Sequence, residues 1–447
     1  MRTSVKKFLW IAFEAANWLT IFWFWYSGSG ELLSQGTGNL LVAIGRLFGL
    51  AAGYSVLTQF FLMGRNPLIE QVFGLDKLAR VHQITGKLSF FFILSHPILL
   101  LIGYKLLSGI SWWAQVTSLI NDFEYTFWAF IALGLFIIVV ATAIPMVRSK
   151  LRYEFWYFIH VLVYLAAFLA FWHQIEEGSD LLSSAFFYGY WIALYVLVTL
   201  SHLIFRFGRP VWRLYRHQFR VSRVVRESPS ATSVYITGNE LGKFPVRPGQ
   251  FMFFRFLAGD LWWQSHPFSL SMLPNGKEIR ITVRELGNYT AKIKDIPVDA
   301  KVMIDGPYGL FTDTVNQSNK ILMIAGGIGI TPIRSLSEQL LAQGKDVVLV
   351  YGNRNEQEVI FKKEFQELSR KYQPKYQPWI VHVMSNQPDY LGEKGRVDEE
   401  KIKRLVPDIK EREVYLCGPA PMMQGLIGAL QNLGVPVSRI HFEKFSL

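Results

Sequence analysis

LARVHQITGKLSFFFILSHPILLLIGY, from Leu78 to Tyr104, and YEFWYFIHVLVYLAAFLAFWH, from Tyr153 to His173, are the two stretches that decide the fold. Each is apolar and long enough to cross a hydrocarbon core of ~30 Å as one helix, which takes about 20 residues. Each also carries two histidines, and lipid makes ionisable groups costly unless they serve a site. His82 and His96 stand fourteen residues apart, and His160 and His173 thirteen. At about 3.6 residues per turn, both spacings return the side chains to nearly one face; a rise of about 1.5 Å per residue sets them roughly 20 Å apart.

Working outward, four more apolar runs are expected to span: Phe8 to Tyr26, Leu40 to Met63, Phe123 to Val147 and Ala185 to Phe207. The two histidine helices are the third and fifth, so they run in the same direction. His82 then lies level with His160, and His96 with His173. Imidazole is a good axial ligand for haem iron, so two levels of facing imidazoles predict two bis-histidine haems. A single intramembrane histidine is more often a helix–helix hydrogen bond; four at matched spacings favour ligation. His202 and His217, near the cytoplasmic edge, read as structural, and His382 and His441 take no assignment. Arg46, near the outer end of the second span, has three open roles: snorkelling to the surface, pairing with an outer haem propionate, or attracting an anion or polar acceptor.

Composition agrees with a chain half in lipid. Hydrophobic residues make up 51% and aromatics 15%, with 14 Trp, and the apolar residues crowd before about residue 206. The net charge of +12 would suit nucleic acid, but the basic residues flank apolar segments and no recognition motif accompanies them. Arg2, Lys6, Lys7, then Arg65, Lys77, Arg80, then Arg148, Lys150, Arg152 mark alternate loops. The other loops hold Lys105 and acids such as Glu31, Asp122, Glu176, Glu177 and Asp180. The positive-inside rule therefore places the N-terminus and everything after the sixth span in the cytoplasm. Lys6-Lys7 before an apolar run resembles a signal peptide. Bulky residues, Glu14, Asn17 and the lack of an A-x-A site favour a retained helix. The single cysteine, Cys417, excludes an intrachain disulfide and any multi-cysteine metal site.

After Arg216 the pattern changes to short alternating runs, such as Gln250 to Arg255 and Glu278 to Val283, which predict an antiparallel barrel to about residue 312. His266-Pro267-Phe268-Ser269, then Val283 and Gly287-Asn288-Tyr289-Thr290, follow Pro248-Gly249-Gln250-Phe251 in the order of a flavin barrel. A helix beginning near Thr290 would offer free N–H groups to the FAD pyrophosphate. From Lys320 the chain reads strand, glycine-rich turn, helix, strand, which is α/β alternation. Gly326-Gly327-Ile328-Gly329, with Thr331 and Pro332, and later Cys417-Gly418-Pro419, are expected to meet the nicotinamide nucleotide. No base stands near Cys417, so packing beside the nicotinamide is its expected role. Arg354, just after a strand, is placed where a 2′-phosphate would sit and tilts the donor toward NADPH over NADH.

With these motifs in place, the whole chain resembles the NADPH oxidase/ferric reductase superfamily, in a bacterial-type form without regulatory domains. The resemblance implies a multi-domain membrane protein of a bacterial-type cytoplasmic (inner) membrane. Residues 1–213 would form a six-helix transmembrane di-haem bundle, 214–313 a ferredoxin-reductase-like antiparallel FAD barrel, and 314–447 an α/β Rossmann-like NAD(P)-binding domain. It also implies His82 with His160 on an inner b-type haem, His96 with His173 on an outer one, and Phe445 over the flavin ring. Animal superoxide producers of the family carry a further histidine where this chain has Leu100, while Arg46 corresponds to their arginine at the outer haem. Electrons from cytoplasmic NAD(P)H would thus reach O2, giving superoxide. The alternatives are a ferric chelate, a membrane or periplasmic partner protein, and a flavin reductase anchored without haem. No acid–base residue is nominated, and no regulatory subunit is expected.

Overall fold

The computed structural model describes residues 3–315 and 317–443, Thr3 and Ser4 by backbone only; Phe445 lies outside the described residues. The chain divides into two units, Met1–Phe73 with Lys77–Arg206, and Gly74–Asp76 with Phe207–Leu447.

Among the described residues six helical spans are long and apolar enough to cross a membrane: Val5–Ser34, Thr37–Met63, Leu75–Ser108, Thr126–Ala143, Tyr153–Glu177 and Ala185–His217. In lipid every backbone polar group must be satisfied within the segment, which the helix does. The first and third spans run longer than the sequence reading, to Ser34 and Ser108, and the last three differ from it in form. The fourth span stops at Ala143 because Ile144 turns extended (φ −60°, ψ 132°) before Pro145, whose ring disfavours a helical predecessor. The fifth is interrupted at Leu162, between helices Tyr153–Val161 and Val163–Glu177. The sixth passes through a π-helical turn, Leu203–Gly208, into Arg209–His217.

In the first unit the buried cluster joins Ile21, Trp25, Ala43, Tyr54, Phe187 and Trp191, while Phe8, Leu19, Trp23 and Phe168 face outward. Lipid tails are as apolar as these side chains, so close approach rather than hydrophobicity organises the helices. The second span supplies it with Gly45, Gly49 and Gly53, one turn apart. A Cβ at these positions would meet Leu100, His96, and Gln174 with Trp191 respectively, all within 3.0 Å.

In the second unit, β1 (Arg220–Ser228), β2 (Ala231–Thr237), β3 (Phe251–Phe256), β4 (His266–Ser269), β5 (Glu278–Arg284) and β6 (Val302–Tyr308) form two antiparallel sheets, β1-β2-β5 and β4-β3-β6. Bridges Arg220↔Lys301 and Leu270↔Ile281 join them around a core that includes Val234, Phe254, Ile281 and Ile304. Next come β7 (Lys320–Gly326), β8 (Asp346–Asn353), β9 (Ile380–Met384), β10 (Glu393–Lys394), β11 (Glu413–Cys417) and β12 (Ile440–Phe442). They form one parallel sheet ordered β10-β9-β8-β7-β11-β12, so the winding reverses between β7 and β11. At such a switch point the strand ends open a crevice for a ligand.

Candidate functional site

The four histidines of the spans come together as two pairs. Ring centroids of His82 and His160 are 6.1 Å apart, and those of His96 and His173 6.4 Å. A metal–imidazole bond of about 2.0 Å, added to about 1.1 Å from ring centre to nitrogen, gives about 6.2 Å between two imidazoles that share one metal. Both separations match that value. At the second pair the far nitrogens are engaged: His96 Nδ1 lies 2.8 Å from the Gly45 carbonyl, and His173 Nδ1 2.5 Å from Glu177 Oε2. Each leaves Nε2 for a metal, since the bond at one ring nitrogen fixes the role of the other. A cavity of about 430 Å³ opens beside this pair, lined among others by Arg46, Gly49, Gln174 and Asp180. That is within the usual range for a cofactor pocket, roughly 300–1,000 Å³. The residues present fit a haem at each level.

At the first pair, Trp156 stacks on His160 with centroids 5.0 Å apart, and the Arg148 guanidinium lies 4.5 Å from the Trp156 ring. Arg46 lines the cavity at the second; its Nη1 is 3.4 Å from Ser29 Oγ, which donates to Asp180 Oδ1 at 2.7 Å. Burial pushes the Asp180 carboxyl up, opposed by the Ser29 hydrogen bond and the Arg46 charge. Leu100 occupies the space over Gly45. His202 bonds Tyr164 and the Phe60 carbonyl, and His217 the Asn239 carbonyl.

The barrel motifs also converge. His266, opening β4, lies against Tyr289 with centroids 3.8 Å apart. Ser269 pairs with Phe251, Pro267 with Phe253 and Phe268 with Met252 across β3, while Val283 is buried in β5. The expected helix starts earlier than Thr290 and is short, Asn288–Ala291; Thr290 Oγ1 accepts from the amides of Leu286 and Gly287.

At the crevice of the parallel sheet the two glycine motifs pack as one. Ala325 of β7 sits in register with Cys417 of β11. A Cβ on Gly329 would lie 2.4 Å from the Cys417 carbonyl, and one on Gly326 2.4 Å from Met422 Sδ and 3.0 Å from Pro419. Gly327 takes a positive φ of 52° between them. Ile328 is half-buried, while Thr331 and Pro332 are buried at the start of the helix Ile330–Ala342. A Cβ on Gly418 would lie 3.2 Å from the Gly326 backbone. Cys417 is fully buried, and burial followed by the Glu443 charge pushes its thiol well up, so it packs rather than attacks. Arg354 is exposed beyond β8. Two residues were not singled out from sequence. Arg284 reaches within 3.3 Å of a Gly327 Cβ and pairs with Glu358 at 2.7 Å. By sequence Glu177 is a loop acid, and the signal that marks it is its place one turn after His173.

Residues 48–171 match the family of ferric reductase like transmembrane components, 231–312 an FAD-binding domain, and 323–427 an oxidoreductase NAD-binding domain. The chain is similar to the flavohemoprotein of Candida albicans, 31% identical over 251 residues, 54% of this chain and 62% of that protein. It is also similar to the ferredoxin reductase component of 3-ketosteroid-9-alpha-monooxygenase from Rhodococcus rhodochrous, 30% identical over 233 residues, 51% of this chain and 64% of that protein. It therefore spans less than two thirds of either relative. Among solved structures, the FAD/NAD-binding domain of nitric oxide dioxygenase from Vibrio cholerae is 23% identical, covering 50% of this chain and 96% of that one, with a TM-score of 0.44. Flavohemoglobin from Malassezia yamatoensis is 18% identical over 94% of this chain and 99% of that one, with a TM-score of 0.46.

Proposed function

The chain has the domain architecture of the NADPH oxidase/ferric reductase superfamily, a transmembrane oxidoreductase with FAD- and NAD-binding domains, and on that premise we propose that it passes electrons from cytoplasmic NAD(P)H across the membrane to O2, releasing superoxide. His82 with His160 would hold an inner b-type haem, and His96 with His173 an outer one. His266 to Ser269, Val283 and Gly287 to Thr290 would hold FAD. Gly326 to Gly329, Thr331, Pro332, Arg354 and Cys417 to Pro419 would hold the nicotinamide nucleotide. When bound, FAD would supply the conversion of a hydride into single electrons, and the haems a one-electron path.

The observation that carries this reading is the two imidazole pairs, 6.1 Å and 6.4 Å between centroids, on spans that match a ferric reductase-like component. What the chain does there is hold and exclude: the Gly45 carbonyl and Glu177 orient the outer imidazoles, and Gly49 gives His96 its room. Arg46 supplies positive charge at the outer cavity, where a small acceptor would gain an electron and become an anion. His96 and His173 would together hold the outer haem, which would supply single electrons to an acceptor in the adjoining cavity. Leu100, where animal superoxide producers have histidine, supports a second reading in which a ferric chelate or a partner protein takes the electron.

The test is the purified protein under anaerobic conditions. Two b-type haems per chain should be reduced by NADPH or NADH and reoxidised on adding oxygen, with output sensitive to superoxide dismutase. Reoxidation only by ferric chelate, or only by a partner, moves the assignment to the second reading. A preparation without a b-type band refutes both.

A further inference from the structure

We propose that Glu177 is a positioning residue that lowers the reduction potential of the outer site through His173, and so selects a low-potential one-electron acceptor; the proposal rests on the haem reading above. The four candidate ligands are treated differently by their surroundings. At the inner level His160 Nδ1 is buried with no hydrogen-bond partner among the described residues, and His82 meets at most the Gln59 backbone. At the outer level the Gly45 carbonyl stands 2.8 Å from His96 Nδ1, and a carboxylate, Glu177, 2.5 Å from His173 Nδ1.

With Nε2 turned to a metal, Nδ1 carries the proton and donates it to these oxygens. A carboxylate is a stronger acceptor than a neutral carbonyl. It draws the Nδ1 proton, makes the imidazole a more basic ligand, and favours ferric over ferrous iron.

Glu177 is itself fixed. Its Oε1 accepts from the Tyr125 backbone N–H at 2.6 Å, and its Oε2 from Thr126 Oγ1 at 2.9 Å. Both donors lie at the start of the helix Thr126–Ala143, where unpaired N–H groups and the helix dipole favour an anion. Its side chain is only 9% exposed. The carboxylate is thus held by the fourth span on one side and by His173, four residues back on the same helix face, on the other.

A lower outer potential makes transfer from the inner level less favourable and transfer to the acceptor more so. That exchange gains nothing with an acceptor that is easily reduced. It suits one that resists a single electron, as O2 does on the way to superoxide, better than a ferric chelate.

Glu177→Gln keeps the size and an acceptor oxygen but removes the charge. In the purified two-haem protein, an optical potentiometric titration should show one midpoint moved upward and the other unchanged. One low-spin ferric signal should change its g values, and superoxide output should fall relative to ferric-chelate reduction. A Glu177 that only caps the fourth span would lower thermal stability and leave both midpoints in place, which overturns the proposal. Should the variant not accumulate, the unaltered protein answers: redox-difference infrared spectra should contain a carboxylate band that titrates with one haem only. Absence of that band also overturns it. Loss of both haems from the unaltered protein would instead refute the haem reading on which the proposal rests.

Discussion

Replacing Gly49 by alanine tests whether the second span seats the outer histidine. The added Cβ would lie 2.7 Å from both Cε1 and Nδ1 of His96, short of an ordinary contact of about 3.5 Å by about 0.8 Å. A free imidazole would swing aside at little cost. This one is held, with Nδ1 2.8 Å from the Gly45 carbonyl and its ring 6.4 Å from that of His173. A shift of about 0.8 Å either carries Nδ1 beyond hydrogen-bonding range or opens the imidazole pair to about 7 Å, too wide for one iron. Overpacking of this kind costs about 1–3 kcal/mol, which corresponds to roughly 5- to 150-fold weaker retention of the outer haem. The assay is haem per chain after size exclusion, with the rate of haem transfer to apomyoglobin. Gly49→Ala should fall from two haems toward one. Gly134→Ala and Gly189→Ala, where a Cβ would meet nothing within 4 Å, should keep two. Two haems retained in Gly49→Ala, with an unchanged rate of loss, would show that the glycine does not seat His96.

The soluble unit yields further tests. Arg280, 3% exposed, bonds Glu364 with Nη1 at 2.5 Å and Nη2 at 2.9 Å. Arg280→Met removes the two-bond partner of the half-buried Glu364 carboxylate, which keeps Arg334 at 2.8 Å, and should cost about 1–3 kcal/mol in urea unfolding of this unit. Burial raises the Glu364 carboxyl, but the hydrogen bonds and charge of Arg280, with Arg334, outweigh it and hold it below the ordinary range. Its stabilisation is therefore complete above about pH 4.3 and lost as pH falls through the lower folded value; Glu364→Gln should flatten that acid limb in pH-dependent melting. The raised thiol of buried Cys417 should make alkylation at pH 8 much slower in folded than in urea-unfolded protein, by mass spectrometry. If Arg354 meets a 2′-phosphate, Arg354→Ala should raise the KM for NADPH roughly 10-fold and leave that for NADH unchanged in flavin-dependent dye reduction.

Pairing of the histidines was legible because a membrane helix is regular over its whole length. Fourteen- and thirteen-residue spacings carry phase and level directly, and the odd parity of the spans carries direction. The break at Leu162 was not legible: no proline or glycine marks it, and its neighbours are ordinary helix formers. The end of the fourth span was legible in principle, since Pro145 restricts Ile144, but hydropathy alone carried the reading on to Val147. In the soluble unit the glycine motifs were visible as motifs. That Ala325 and Cys417 stand in register depends on β7 and β11 lying side by side, a long-range pairing that local sequence does not encode. The same applies to Glu177, whose helix-capping donors, Tyr125 and Thr126, lie some fifty residues earlier.

The two levels also bear on the choices left open for Arg46. A snorkelling arginine extends along its helix toward water and leaves its head group hydrated. Arg46 instead lines the cavity beside His96 and His173, with Nη1 directed at Ser29 Oγ and, through it, at Asp180. That geometry disfavours the first role and keeps the other two, a counter-charge for a propionate and an attractor for an acceptor. They need not compete. A guanidinium has five N–H donors in a planar fork, and the Ser29 contact occupies one edge of it. The outer level thus gathers an arginine, Asp180 and Glu177, whereas the inner level shows a His160 Nδ1 with no hydrogen-bond partner among the described residues and a stacked Trp156. Polar groups collect where electrons would leave the protein for a soluble acceptor. At the inner level the polar group on the page, the Arg148 guanidinium, lies on the Trp156 ring rather than on an imidazole.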